Sequence, residues 1–234
     1  MKHTLSTKLF GLLTLSALAL GSAQAFASDT AKDKAEAEKT VNGAVTVLKN
    51  FAADPNMTWY REHVVKAKAV LIIPTLVKAG FIFGGSGGRA VVVAHDAKSG
   101  RWASPAFYTL ATASVGFQAG IAASENITLV MTQKGLNTLL APSVKLGGDA
   151  SVAAGPVGAG AASDVTTDFV AFARSKGVYG GVNLDGTVIS VNNDWNTAYY
   201  GKSVLPPDVL VRGSASNKGA AKLLGAVAKA AGSK

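Results

Sequence analysis

Cysteine is absent from the 234 residues. That excludes disulfides, thiolate chemistry and a lipobox for a diacylglyceryl anchor. Charged residues are scarce at 16%. Of the three histidines, only His63 and His95 lie beyond the first residues, and no set of three or four metal ligands forms around either. The acids Asp149, Asp164, Asp168, Asp185 and Asp194 stand apart among glycines and small residues, as turn acids do, so they offer no catalytic carboxylate pair. Beyond the N-terminus no apolar run is long enough to span a bilayer, since residues 69–77 are few and broken by Pro74.

Apolar residues make up 48% of the chain and glycines number 26. This is the composition of one globular, turn-rich, strand-containing domain with appendages. Residues 1–27 read as a secretory signal peptide, with Lys2 and Lys8 before an apolar stretch at 9–20 and Ala-x-Ala sites ending at Ala25 and Ala27. The expectation is therefore an exported protein, periplasmic or secreted and peripheral to a membrane. The net charge of +9 falls to +7 without that segment, 21 basic residues against 14 acidic. Such an excess favours anionic partners: phospholipid surfaces, polyanionic glycans or nucleic acid, with export making nucleic acid the least suited.

Residues 28–53 carry Val41, Val45, Leu48, Phe51 and Ala52 near helical spacing, and Asp54-Pro55 stops that helix and starts another. From Val70 the pattern turns to strand. Gly84-Gly85-Ser86-Gly87-Gly88 between apolar runs reads as a tight hairpin with positive φ angles. Residues 103–123 are ambiguous between strands and a small-residue helix. Residues 127–132 and 169–174 read as strands, and 134–140 as a short helix. Leu184-Asp185-Gly186 reads as the turn of a second hairpin.

Three enzyme motifs fail on inspection. The glycine run matches G-x-S-x-G, but a β-branched run follows Ser86 instead of a helix, and no acid lies between it and the later His95. Gly201-Lys202-Ser203 lacks the P-loop glycine, because residue 196 is Asn. The glycines around Pro156 have the wrong spacing for a dinucleotide fingerprint. No enzyme activity and no cofactor are expected.

What remains is basic: Arg61, Lys66, Lys68, Lys78, Arg89, Lys98 and Arg101 against Glu62 and Asp96. In residues 214–234, Lys218, Lys222 and Lys229 share one side of a helical wheel, with Leu223, Leu224 and Val227 opposite and no acid present. That cationic tail suits an anionic membrane interface, docking on its own domain, or disorder.

The runs KAVLIIPTLVKAGFIFGGSGGRAVVVAHD, RWASPAF, SVGFQAGIAASENITLVM, LGGDASVAAGPVG and SKGVYGGVNLDGTVISVNNDWNTAYYG resemble, in order, the SYLF family, also called the Ysc84-type domain. The resemblance covers about residues 54–213. It implies a phospholipid-binding domain, with phosphoinositide and actin binding in eukaryotic members that an exported bacterial protein would not meet at home. It resolves residues 103–123 as strands. It also points to the basic N-terminal part, here residues 59–78, as the lipid-contacting region. Family members often carry an arginine among the loop glycines, where this chain reads Gly-Gly-Ser-Gly-Gly with Arg89 just after.

The expected fold is α+β, a mostly antiparallel glycine-rich sheet with N-terminal helices and a short C-terminal helix. The expected function is non-catalytic binding of anionic phospholipid. Trp59, Arg61, Lys66, Lys68, Lys78, Arg89, Lys218, Lys222 and Lys229 are the candidate contacts, with Trp59 entering the interface. The alternative is an envelope structural or adhesion protein that binds a protein or glycan.

Overall fold

The computed structural model describes residues 10–80, 83–96, 99–115, 120–158 and 166–232. Lys2 and Lys8, at the start of the stretch read as a signal peptide, and Lys98 lie outside them. Among the described residues no helix is long and apolar enough to cross a membrane.

Helix α1 (Phe10–Ala53) buries Ala37, Val41, Ala44, Val47, Leu48 and Phe51, which recur every three or four residues and so form one stripe. It ends in a turn where the Asp54 carboxylate accepts the Asn56 N–H at 2.8 Å. A short helix α2 (Thr58–His63) and a 3-10 turn (Val64–Lys66) lead into the sheet.

The strands are β1 (Ala69–Gly80), β2 (Phe83–Asp96), β3 (Arg101–Trp102), β4 (Ala106–Val115), β5 (Gly120–Val130), β6 (Ser143–Lys145), β7 (Val152–Ala154), β8 (Phe169–Ser175), β9 (Val178–Gly181) and β10 (Val188–Val191). Their order is β6-β10-β4-β2-β1-β5-β8-β7, with β3 beside β2 and β9 beside β8. Among the described residues every pairing between these strands is antiparallel except β7 with β8. The edge strands β6 and β7 are neighbours in the chain, linked through a bridge between Leu146 and Ala150, so the sheet curls towards closure.

Alternation along β1 divides the core. Val70 and Ile72 face α1, α2, α4 (Asn193–Tyr200) and α6 (Ala221–Ala230). Ala69, Leu71 and Ile73 face the inside of the curl, which α3 (Gln133–Leu139) and α5 (Pro206–Leu210) cover. This is the α+β, mostly antiparallel architecture expected from the sequence. The register of β1 shifts between Ile73 and Leu76, which lets Pro74 sit mid-strand without breaking the ladder. Helix α1 crosses directly over this bulge: a Cβ on Gly43 would come 2.9 Å from the Pro74 Cβ.

Two expectations need correction. The glycine run is not a hairpin turn. It lies within β2, where Gly84 to Gly88 pair with β1 and β4, and none of the five has a positive φ. Glycine is needed there for space instead, since a Cβ on Gly85 would meet the Thr112 carbonyl at 2.9 Å and one on Gly88 the Thr75 carbonyl at 2.8 Å. Nor does Leu184-Asp185-Gly186 close a hairpin, because β9 pairs with β8 whereas β10 pairs with β4 and β6. The C-terminal tail takes one of the three states left open for it. Leu223 and Val227 of α6 are fully buried against the α1 face of the sheet, so the tail is docked as part of the domain.

Candidate functional site

The structure divides the nine candidate contacts into groups. Trp59 is only 4% exposed and stacks on His63 with ring centroids 3.9 Å apart, packed near Phe172. It is a core side chain, which corrects the expectation that it enters an interface. Arg61 is spent locally: its guanidinium donates to the Asp54 and Pro55 carbonyls and to the Thr58 hydroxyl, stapling the α1–α2 turn.

Lys66 and Lys68 stand at the start of β1. Lys78 stands ten residues further along the same strand, about 30 Å away at the strand rise of ~3.3 Å per residue. Register puts Lys78 on the inner face and Arg89 on the helix face, so these four cations do not form one rim. Arg89 bonds the Thr109 hydroxyl at 2.7 Å and lies over the Trp195 ring at 5.2 Å.

A different grouping appears at the start of β1. The Lys68 carbonyl accepts the His95 N–H at 2.8 Å, and His95 pairs with Trp102 of β3. Helix α6 packs on β3, with Val227 and Trp102 in the same core cluster. Because the apolar side of α6 is turned inward, Lys218, Lys222 and Lys229 face solvent. Lys66, Lys68, Arg101 and the α6 helix therefore share one end of the molecule. We term this the basic end.

Two polar clusters escaped the sequence reading. In the first, Asn50 of α1 donates to both Glu125 carboxylate oxygens at 3.3 and 3.1 Å, and Arg174 donates to Glu125 at 3.0 Å. The Tyr179 hydroxyl returns to the Asn50 carbonyl at 3.0 Å. This clamp ties α1 to β5, β8 and β9. It needs the β5–β8 register to be visible, although Ser-Lys-Gly between two strand patterns was a local turn signal.

The second cluster surrounds Asp168. Burial alone would raise its pKa, but the Thr132 hydroxyl, the Ser151 N–H and hydroxyl, and Lys134 overcome that and hold it down at about 2. Thr132 also caps α3 by accepting the Gly135 N–H, so Asp168 joins α3, β7 and β8. The role is structural. No group of three or more metal-ligating side chains occurs among the described residues.

Comparison with known proteins decides the lineage. The family model described as Ysc84, Las17-binding protein actin regulator, matches residues 111–230, half of the chain. The chain belongs to the Ysc84 family. The match runs past Gly213 and takes in α6, in keeping with the docking of that helix. Protein YSC84 of Saccharomyces cerevisiae is 32% identical over 171 residues, 68% of this chain and 36% of the relative. LAS seventeen-binding protein 3 from the same species is also 32% identical, over 68% of this chain and 37% of its own length. The human SH3 domain-containing YSC84-like protein 1 is 27% identical over 187 residues, covering 76% of this chain and 53% of the relative. The chain thus spans between a third and about half of the length of these relatives. No solved structure matches it. Ysc84 membership supports a binding role.

Proposed function

We propose that this Ysc84 domain binds anionic phospholipid without catalysis, through its basic end, as an exported bacterial protein at a membrane surface. The observation that carries the reading is the docked α6, whose lysines face outward on a helix packed on β3, the strand of Arg101, at the end of the sheet where Lys66 and Lys68 stand. A cation near an anionic bilayer contributes about 1 kcal/mol, and the attraction fades beyond a Debye length of about 8 Å at physiological salt. Several cations at one end act together, whereas Lys78, about 30 Å along β1, adds little to the same contact.

Truncation after Gly213 would strip Leu223 and Val227 from the core, so charge substitution is the better test. Full-length protein should float with phosphatidylglycerol vesicles, release as salt rises, and ignore phosphatidylcholine vesicles. Combined Lys66→Gln, Lys68→Gln, Arg101→Gln, Lys222→Gln and Lys229→Gln should abolish flotation while leaving the fold intact. Flotation that ignores lipid charge or survives those substitutions would defeat the reading. A protein partner is the second reading, favoured by the names of the Las17-binding relatives. It predicts retention on an envelope or cytoskeletal protein with no dependence on lipid.

A further inference from the structure

Beside the clamp of α1, where β5 and β8 part company, lies an open pocket of about 320 Å³. Thr75 and Pro74 of the β1 bulge, Ser124 and Glu125 of β5, Arg174 of β8 and Lys176 line it. Lys176 and Gly177 make the two-residue turn between β8 and β9, with φ of 50° and 81°. That is the geometry of a type I′ hairpin, whose first position favours Asn, Asp or Gly. A lysine there is strained, and its side chain lines the pocket with no ion pair among the described residues.

Arg174 adds a second positive charge. Its guanidinium has five donor hydrogens, of which the protein engages Nη1 through Glu125, while Nε is enclosed without an acceptor. Its side chain is 33% exposed and forms part of the wall. Two cations against one carboxylate leave the lining with one net positive charge. Asp54 contributes a more distant negative charge and lines none of the pocket. The Thr75 hydroxyl supplies a further donor, whereas the Ser124 hydroxyl lies on the opposite face of β5 and accepts from Asn126 Nδ2 at 3.0 Å.

The surroundings are aliphatic. Register puts Val77 opposite Ala123, and Ile121 two residues beyond Ala123, on the face that carries Glu125. Val77 is 43% exposed and Ile121 83%. A singly positive pocket beside exposed aliphatic side chains has the polarity of an amphiphile: an anionic head for the pocket and a chain for Val77 and Ile121.

We propose that this pocket binds the monoanionic head of an amphiphile, with Lys176 and Arg174 as its charge partners. It is separate from the basic end, and it depends on the lipid reading only where the amphiphile sits in a bilayer.

Lys176→Asn is the informative variant, because it removes the charge and relieves the turn. Binding is measured for full-length protein with monomeric lysophosphatidylglycerol by calorimetry, and with phosphatidylglycerol vesicles by flotation. The variant should bind about tenfold more weakly, the loss of one charge-assisted contact, with thermal stability equal or higher. Ile121→Ser should weaken binding without affecting the fold, and neutral lysophosphatidylcholine should bind poorly to all forms. Loss seen with the monomer assigns a single captured amphiphile. Loss confined to vesicles assigns a head group in a bilayer.

Vesicle binding that Lys176→Asn leaves unchanged, but that the basic-end substitutions abolish, overturns the pocket and leaves the proposed function standing. Binding lost in Lys176→Asn and kept in the basic-end variant does the reverse. Absence of binding to either form of lipid overturns the pocket.

Discussion

The strands β1, β2, β4 and β5 each pass through two environments. Near the start of β1 they carry Val70, Leu71, Ile72, Val92, Val93, Phe107, Ile127 and Leu129, all buried between helices and the inside of the curl. Past the Pro74–Thr75 bulge the same ladder continues, but its residues become Gly85, Gly87, Ala111, Ala113, Ala122 and Ala123, and exposure rises. Backbone pairing is maintained in both parts, while side-chain burial gives out beyond Leu76 and Leu110. The far end thus leans mainly on its ladder of hydrogen bonds, and most of the stability resides in the body, where about 25 cal/mol accrues per Å² of apolar area removed from water.

That contrast can be broken by substitution. Phe172→Ala, in the body beside Trp59 and Tyr60, should cost about 3–5 kcal/mol in chemical denaturation, because the ring is fully buried and packed on both aromatic rings. Asp168→Asn should come next, at about 2 kcal/mol near neutral pH. Its carboxylate has a folded pKa of about 2, below the ordinary 3.8, so its contribution is complete above about pH 5 and disappears as pH falls towards 2. Denaturation followed from pH 6 to pH 2 should show the parent losing stability over that window and the Asn variant losing less. An equal acid slope in both proteins would mean that the Asp168 cluster is not formed.

At the boundary between the two environments, Gly88→Val should cost about 1–3 kcal/mol, since its new side chain would press on the Thr75 carbonyl and Ile73. Gly87→Val, one residue away, meets only the Leu110 carbonyl at 3.6 Å and should be milder. The smallest effect belongs to the far end: Ile121→Ser should change stability by less than about 0.5 kcal/mol by thermal melting. A large loss there would show that the far end is packed against something, and the comparison would fail.

Local patterns foretold the elements better than their partners. The stripe from Val41 to Phe51 announced α1, and residues 134–140 announced α3, because helical burial repeats within a few residues of sequence. Glycine and Leu-Asp-Gly signals misled for the opposite reason. Whether a glycine serves a turn or a close approach depends on the strand across from it, here Thr112 or Thr75. The candidate site suffered likewise. Lysines at the surface could be named one by one, but the extended β1 carried Lys78 away from Lys68, while the fold brought α6 from the other end of the chain to β3. Arg174 and Lys176 drew no notice, since only the β5–β8 pairing puts them beside Glu125 and Thr75.

The packing of α1 against α6 has a consequence for how the molecule is made. The stripe from Ala37 to Phe51 meets Leu223 and Val227, nearly the full length of the chain later. During synthesis from the N-terminus, the α1 stripe emerges long before its last partner. Contacts this remote in sequence make for slow folding and leave apolar surface uncovered in the interim. Nascent chains that stop short of residue 221 should therefore be held by chaperones or lost to aggregation, and release should coincide with the arrival of the last helix.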